Sequence, residues 1–181
     1  MTVPANAVPE STYELLASAA RTWPDAVATQ WIPDPADYAR CQAWTYADLA
    51  GTVTRIANGL ARLGIQREDA VTLCGPNCSG LLAATLAAQA AGIAAPVSPA
   101  LGADRIAGLI GRTGSPVLIA AGPESDPGLW QRLTAVARQA GVRAVIALRP
   151  DGAGVRPGRP AAHRPGRDLA MRASREKEQP R

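Results

Sequence analysis

Phenylalanine is absent from this 181-residue chain, and aromatic residues make up only 4% of it. A hydrophobic core therefore has to be built from Ala, Val, Leu and Ile. Lysine and histidine are almost as scarce: the single Lys is Lys177 and the single His is His163. Residues 1–150 thus hold no Schiff-base or phosphate-loop lysine, and no histidine to serve as a base or metal ligand. Ser-His-Asp and Cys-His constellations are excluded there on the same ground. Taken alone, that stretch is not a self-sufficient hydrolase, kinase or zinc enzyme.

Cysteine is limited to Cys41, Cys74 and Cys78, too few and too oddly numbered for a secreted disulfide scaffold. Cys74-Gly-Pro-Asn-Cys78 has one residue more than a redox C-x-x-C, so these thiols read as small buried hydrophobes rather than a redox pair. There is no basic cluster followed by an apolar core at the N-terminus, hence no signal peptide. Residues 81–97 are apolar on average but include Thr85, Gln89, Gly92 and Pro96. They fall short of the ~20 strongly apolar residues of a membrane span. The expectation is a soluble, cytoplasmic protein.

The net charge of +4 is unevenly placed. Residues 1–150 carry 11 Arg and 11 acidic side chains, summing to zero, whereas 151–181 carry 7 Arg, 1 Lys and 4 acidic side chains, summing to +4. A neutral main body gives no reason to expect a nucleic-acid partner. The tail also lacks aromatic residues for base stacking. With four Gly and four Pro and no apolar periodicity, it is expected to be disordered. Its Arg-Pro-Gly-Ala bias is also what a shifted reading frame in GC-rich DNA yields. Two segments follow: a folded portion at 1–150 and a disordered tail at 151–181.

Hydrophobic patterning organises the folded portion. Ser11 with Glu14 three residues later forms a capping-box signature for a helix through Arg21. Residues 26–32 and 42–46 read as two short strands in a hairpin-like entry. Leu49, Val53, Ile56, Leu60 and Leu63 then recur at spacings of four and three, the apolar stripe of a helix. Thr45 and Asp48 suit its start, and Gly64 suits a left-handed stop. Strand 70–74 follows, then helix 79–91, Gly92 and strand 93–97. Helix 104–112, Gly114 and strand 116–120 repeat the unit. A helix capped by Asp126 with Pro127 at its first position leads through Gly141 to strand 142–148. Four helix–glycine–strand units with apolar strands predict an α/β fold: an open, doubly wound, mostly parallel sheet with flanking helices.

No G-x-G-x-x-G, Walker loop, G-x-S-x-G, H-E-x-x-H or paired C-x-x-C occurs. Ligands of a doubly wound sheet sit at the carboxyl ends of its strands. Here those ends are Gly75-Pro76-Asn77, Ser98-Pro99 and Gly122-Pro123. Asn77 and Ser79 stand where either a helix N-cap or a ligand contact is needed.

An ordered set of motifs resembles the AMP-forming acyl-CoA synthetases of the adenylate-forming ligase superfamily. Ala43-Trp44-Thr45-Tyr46-Ala47-Asp48-Leu49 and its helix are similar to that family's T-Y-x-E-L opening. Asp69-Ala70-Val71-Thr72-Leu73-Cys74-Gly75-Pro76-Asn77 resembles its D-x-V-x-x-x-x-P-N. Ala91-Gly92-Ile93-Ala94-Ala95-Pro96-Val97-Ser98-Pro99 resembles its A-G-x-x-x-P-x-x-P. The likeness spans about residues 12–149 and leans to the fatty-acid-like branch rather than to peptide-synthetase adenylation domains.

The resemblance implies a two-step ligase using a carboxylic acid, ATP with Mg²⁺, and CoA. The family's phosphate loop ending Pro-Lys-Gly, its metal-assisting Glu, its ribose-binding Asp and its C-terminal-domain Lys have no counterparts here. No residue is therefore assigned a catalytic, cofactor-binding or metal-ligating role, and no cofactor is expected for this chain alone. The chain is expected to be an N-terminal fragment of such a synthetase, inactive by itself. The alternatives are a non-catalytic interaction module, self-associating or recruiting a partner through an uncovered sheet edge, and one half of a split ligase.

Overall fold

The computed structural model describes residues 10–34, 36 and 41–149. The expected disordered tail at 151–181 lies outside the described residues. The chain opens with helix α1 (Thr12–Thr22), followed by strands β1 (Val27–Trp31) and β2 (Gln42–Thr45) and helix α2 (Tyr46–Arg62). Three βα units come next: β3 (Ala70–Cys74) with α3 (Ser79–Ala91), β4 (Ile93–Pro96) with α4 (Ala103–Thr113), and β5 (Val117–Ala121) with α5 (Pro127–Gln139). Strand β6 (Ala144–Leu148) is the last element described.

Strands β1 and β2 pair antiparallel as the expected entry ribbon. The remaining strands form a parallel sheet in the order β4-β3-β5-β6. Its inner strands β3 and β5 are buried at every position, which is why both read as unbroken apolar runs rather than alternating ones. On one face, Leu60, Ile65, Ala84 and Ala88 pack on Val71, Leu73, Val117 and Ile119. On the other, Ile106, Ile110, Leu133 and Val136 pack on Cys74, Leu118 and Ala120. Alternate strand residues thus serve opposite faces, with α2 and α3 on one side and α4 and α5 on the other. Leu16 of α1 and Trp44 of β2 form an outer cluster with Leu49, Val53, Ala83 and Ala87. Each fully buried Leu or Ile contributes about 1.5–3 kcal/mol relative to exposure.

Local chemistry sets the element ends. Thr45 and Asp48 make a reciprocal capping box on α2: the Asp48 N–H donates to Thr45 Oγ1 at 3.1 Å, and the Thr45 N–H donates to Asp48 Oδ2 at 3.1 Å. On α1, Ser11 Oγ accepts from the Glu14 N–H at 3.1 Å, but the Glu14 carboxylate accepts from the Glu10 N–H at 2.8 Å. The box is therefore closed one residue early. Gly64, Gly114 and Gly141 have φ of 78°, 61° and 72°, a left-handed conformation that glycine adopts without penalty. Leu63, expected on the apolar stripe of α2, is 42% exposed. The helix ends at Arg62 with Leu63 as its C-cap, so the spacing no longer carries that side chain to the core.

Candidate functional site

The carboxyl ends of the parallel strands gather the three segments expected there. Strand β3 leads into α3 on one face, and its neighbour β5 leads into α5 on the other. The connections diverge, leaving a crevice at the switch in strand order, where doubly wound sheets bind ligands. A cavity of about 620 Å³ opens at this edge, lined by Pro76, Pro99, Ser125, Asp126, Leu129 and Arg132, a size within the range of small-molecule sites.

The crevice is built by hydrogen bonds around the start of α5. The Gly122 N–H donates to Leu148 O at 2.9 Å, and the Ser125 and Asp126 N–H groups donate to Gly122 O at 3.0 and 3.2 Å. A side chain at Gly122 would meet Leu148 O at 2.8 Å, so only glycine fits this close crossing. Asp126 caps α5 by accepting from the Leu129 N–H at 2.8 Å, and Pro127 follows at the first helical position. Arg132 reaches across the crevice and donates through Nη2 to Pro99 O at 2.6 Å. The carboxylate and the guanidinium are thus both engaged in holding the loops. Below them Cys74 is fully buried, as expected, whereas Cys78 is only partly buried because it caps α3, and Cys41 is exposed. Burial pushes the Cys74 thiol pKa up from the ordinary value, with the positive charge of Arg132 pulling the other way. Burial thus disfavours the thiolate, which is the nucleophilic form of cysteine.

Asn77 and Ser79 fall on the other side of the switch. Neither caps α3: its N-cap is Cys78, in extended conformation, whose Sγ accepts from the Leu81 N–H at 3.3 Å. Ser79 is already the first helical residue, so the capping position falls one residue earlier, where a thiol acts as a weak acceptor. The Ser79 hydroxyl is buried without a hydrogen-bond partner among the described residues. Asn77, Cys78 and Ser79 help line a smaller cavity of about 330 Å³ against Thr29 and Trp31 of β1. The expected ligand-edge residues are therefore divided between two cavities: Pro76 and Pro99 belong to one, Asn77 and Ser79 to the other. Arg132 and Ser125 escaped sequence reading, because an Arg in the second turn of a helix looks like any solvated charge. Among the described residues no group of three or more His, Cys, Asp or Glu is placed to hold a metal ion. The crevice offers, among the described residues, a hydroxyl at Ser125, a carboxylate at Asp126 and a guanidinium at Arg132.

Residues 16–179 match the sequence pattern of the AMP-binding enzyme family, described as AMP-binding enzyme. The chain belongs to that family. Among curated relatives of this chain is the marinolic acid–CoA ligase of Pseudoalteromonas sp. (strain SANK 73390), 27% identical over 118 residues, covering 65% of this chain and 18% of that protein. Another is the acetyl-coenzyme A synthetase of Methanothrix soehngenii, 41% identical over 69 residues, covering 38% of this chain and 10% of that protein. The chain therefore spans less than a fifth of either relative's length. Among solved structures, the N-terminal domain of FACL13 from Mycobacterium tuberculosis superposes with a TM-score of 0.62 at 24% identity, over 88% of this chain and 40% of that one. The fold is that of the N-terminal portion of an AMP-forming ligase.

Proposed function

We propose that this chain supplies the N-terminal α/β portion of an ATP-dependent, AMP-forming acyl-CoA ligase of the fatty-acid-like branch, acting in the cytoplasm. We propose also that it does not adenylate a carboxylic acid by itself. The observation that carries this reading is the family match over residues 16–179, which runs through the whole parallel sheet. That no helix among the described residues is long and apolar enough to cross a membrane is compatible with it.

The reaction of such a ligase has two displacements. A carboxylate oxygen attacks the α-phosphorus of ATP and pyrophosphate leaves, then the CoA thiol attacks the acyl carbonyl and AMP leaves. Catalysis of phosphoryl-type transfer rests on positioning and on cations that meet the developing charge. The only Lys of the sequence is Lys177, and no Gly-rich loop followed by Lys occurs anywhere in it. In the crevice, the guanidinium of Arg132 is already committed to Pro99 O. This portion therefore shapes one wall of the site, while ATP, Mg²⁺ and CoA chemistry depends on residues it does not contain.

The test is carboxylate-dependent exchange of labelled pyrophosphate into ATP, run with acetate, benzoate and palmitate on the purified chain. Exchange indistinguishable from background is expected with all three acids, and robust exchange with any of them overturns the reading of inactivity. Restoration of exchange by co-expressing the rest of an acyl-CoA ligase would assign the chain as one half of a split enzyme.

A further inference from the structure

The parallel sheet has two edge strands, and the chain treats them differently. On β4, the Ile93 N–H donates to Asp69 O and the Val97 N–H donates to Leu73 O. Strand groups alternate in direction, so residues 93, 95 and 97 face β3 while 94 and 96 face outward. Position 96 is Pro96, which has no N–H to offer. Within this short strand the outward edge keeps one donor, that of Ala94, the usual means of blunting an edge.

Among the described residues strand β6 has no such protection. Leu148 O accepts from the Gly122 N–H, and the Ala144 N–H donates to Pro116 O. Residues 144, 146 and 148 therefore face β5, and the N–H and C=O groups of Val145 and Ala147 face outward. Among the described residues β6 pairs on one side only. Within its span Ala144–Leu148 it carries neither proline nor charge. Arg143 and Arg149, both exposed, bracket it at its two ends.

We propose, independently of the ligase reading, that the outward edge of β6, unpaired among the described residues, is a docking site for an extended polypeptide segment bracketed by carboxylates. The segment adds a strand through the outward groups of Val145 and Ala147, and its acidic ends meet Arg143 and Arg149. The bracket also selects against the other occupants. Two copies pairing antiparallel with full overlap would place Arg143 opposite Arg149 twice, and like charges set directly opposite are destabilising. The chain's own residues 151–181 hold 7 Arg and 1 Lys against 4 acidic side chains, the wrong sign for the bracket.

The test uses the full chain and two short synthetic peptides of alternating Thr and Val, one ending in Glu at both ends and one in Lys. Amide hydrogen exchange at Val145 and Ala147 should be faster than at Ala144 and Ile146 in the free chain, and should slow on adding the Glu peptide. That peptide should bind roughly tenfold tighter than its Lys twin at low salt, the gap narrowing as salt is raised. Ala147→Pro should abolish binding while leaving the thermal midpoint unchanged, because that N–H is not used by β5. The double variant Arg143→Glu with Arg149→Glu should reverse the preference between the peptides. Equal binding of both peptides overturns the proposal. So does slow exchange at Val145 and Ala147 in the free chain, which means self-pairing if it depends on concentration and coverage by the chain's own segment if it does not.

Discussion

Ser115 is only 4% exposed, and its hydroxyl joins two strands before their ladder begins. Its Oγ accepts from the Thr72 N–H at 2.9 Å and lies 2.9 Å from both Ala70 O and Val117 O, to either of which it donates. Removing it strands a buried N–H in the middle of β3, and an unsatisfied buried donor costs about 1–3 kcal/mol. Ser115→Ala is therefore expected to lower the free energy of unfolding by about that amount, read from a urea titration. Sequence shows a Ser next to a Pro before an apolar run, the signature of an ordinary loop, because its partners on β3, Thr72 and Ala70, lie more than 40 residues away. Gly92 makes the complementary case. It reads as another helix stop, and α3 does end there, but its φ is −170°, extended backbone open to any residue. Glycine is needed because an added Cβ would lie 2.5 Å from Asp69 O and 2.9 Å from Gln66 O. Close approach of two backbones leaves no local mark in a sequence, whereas the positive-φ stops at Gly64, Gly114 and Gly141 follow from helix ends that the pattern already locates.

Helix α3 shows how an element's neighbours choose its side chains. Ala84 and Ala88 face the sheet, while Ala83 and Ala87 face the outer cluster with Leu49 and Val53. All four are fully buried, so the helix lies between two packed layers. Apolar residues on two buried faces, with the apolar Leu82 exposed between solvent and those layers, leave little amphipathic signal, which is why this stretch raised the question of a membrane span while α2 beside it read cleanly as one-faced. Small side chains let both layers approach closely, and enlarging one is overpacking, which costs typically about 1–3 kcal/mol. Ala87→Leu is expected to destabilise by that amount in a denaturant titration, and the same substitution at the exposed Ala90 should change stability by less than about 0.5 kcal/mol. Equal effects at the two positions would contradict the two-layer placement. Strand and helix identities were legible because apolar runs, caps and glycine stops agreed at each unit. Their ends moved by one or two residues, as at Ala144–Leu148 against an expected start at 142, because residues 142 and 143 precede the ladder.

For the whole molecule, the order β4-β3-β5-β6 decides where the crevice opens, and no local pattern encodes it. The same order leaves Cys74 at the carboxyl end of an inner strand, beneath the crevice and fully buried. Its thiol pKa is raised by burial, against the opposing pull of Arg132. The sign of the consequence follows from proton counting. Up to the thiol pKa of the unfolded chain, about 8.5, native and unfolded states both hold the proton, and the site adds no pH dependence. Above it the unfolded chain loses the proton first, so it binds fewer protons than the native chain and stability falls as pH rises. The slope from this one site approaches at most about 1.4 kcal/mol per pH unit. Urea titrations between pH 8 and 10 should therefore show a declining free energy of unfolding. Cys74→Ala should flatten that decline even though it lowers stability at pH 7 by leaving a small cavity. An unchanged slope in the variant would mean that the thiolate is tolerated in the native crevice, with Arg132 close enough to stabilise it. Modification by a thiol reagent at pH 8 separates the two cases directly: exposed Cys41 should react at once, and Cys74 only as fast as the sheet opens.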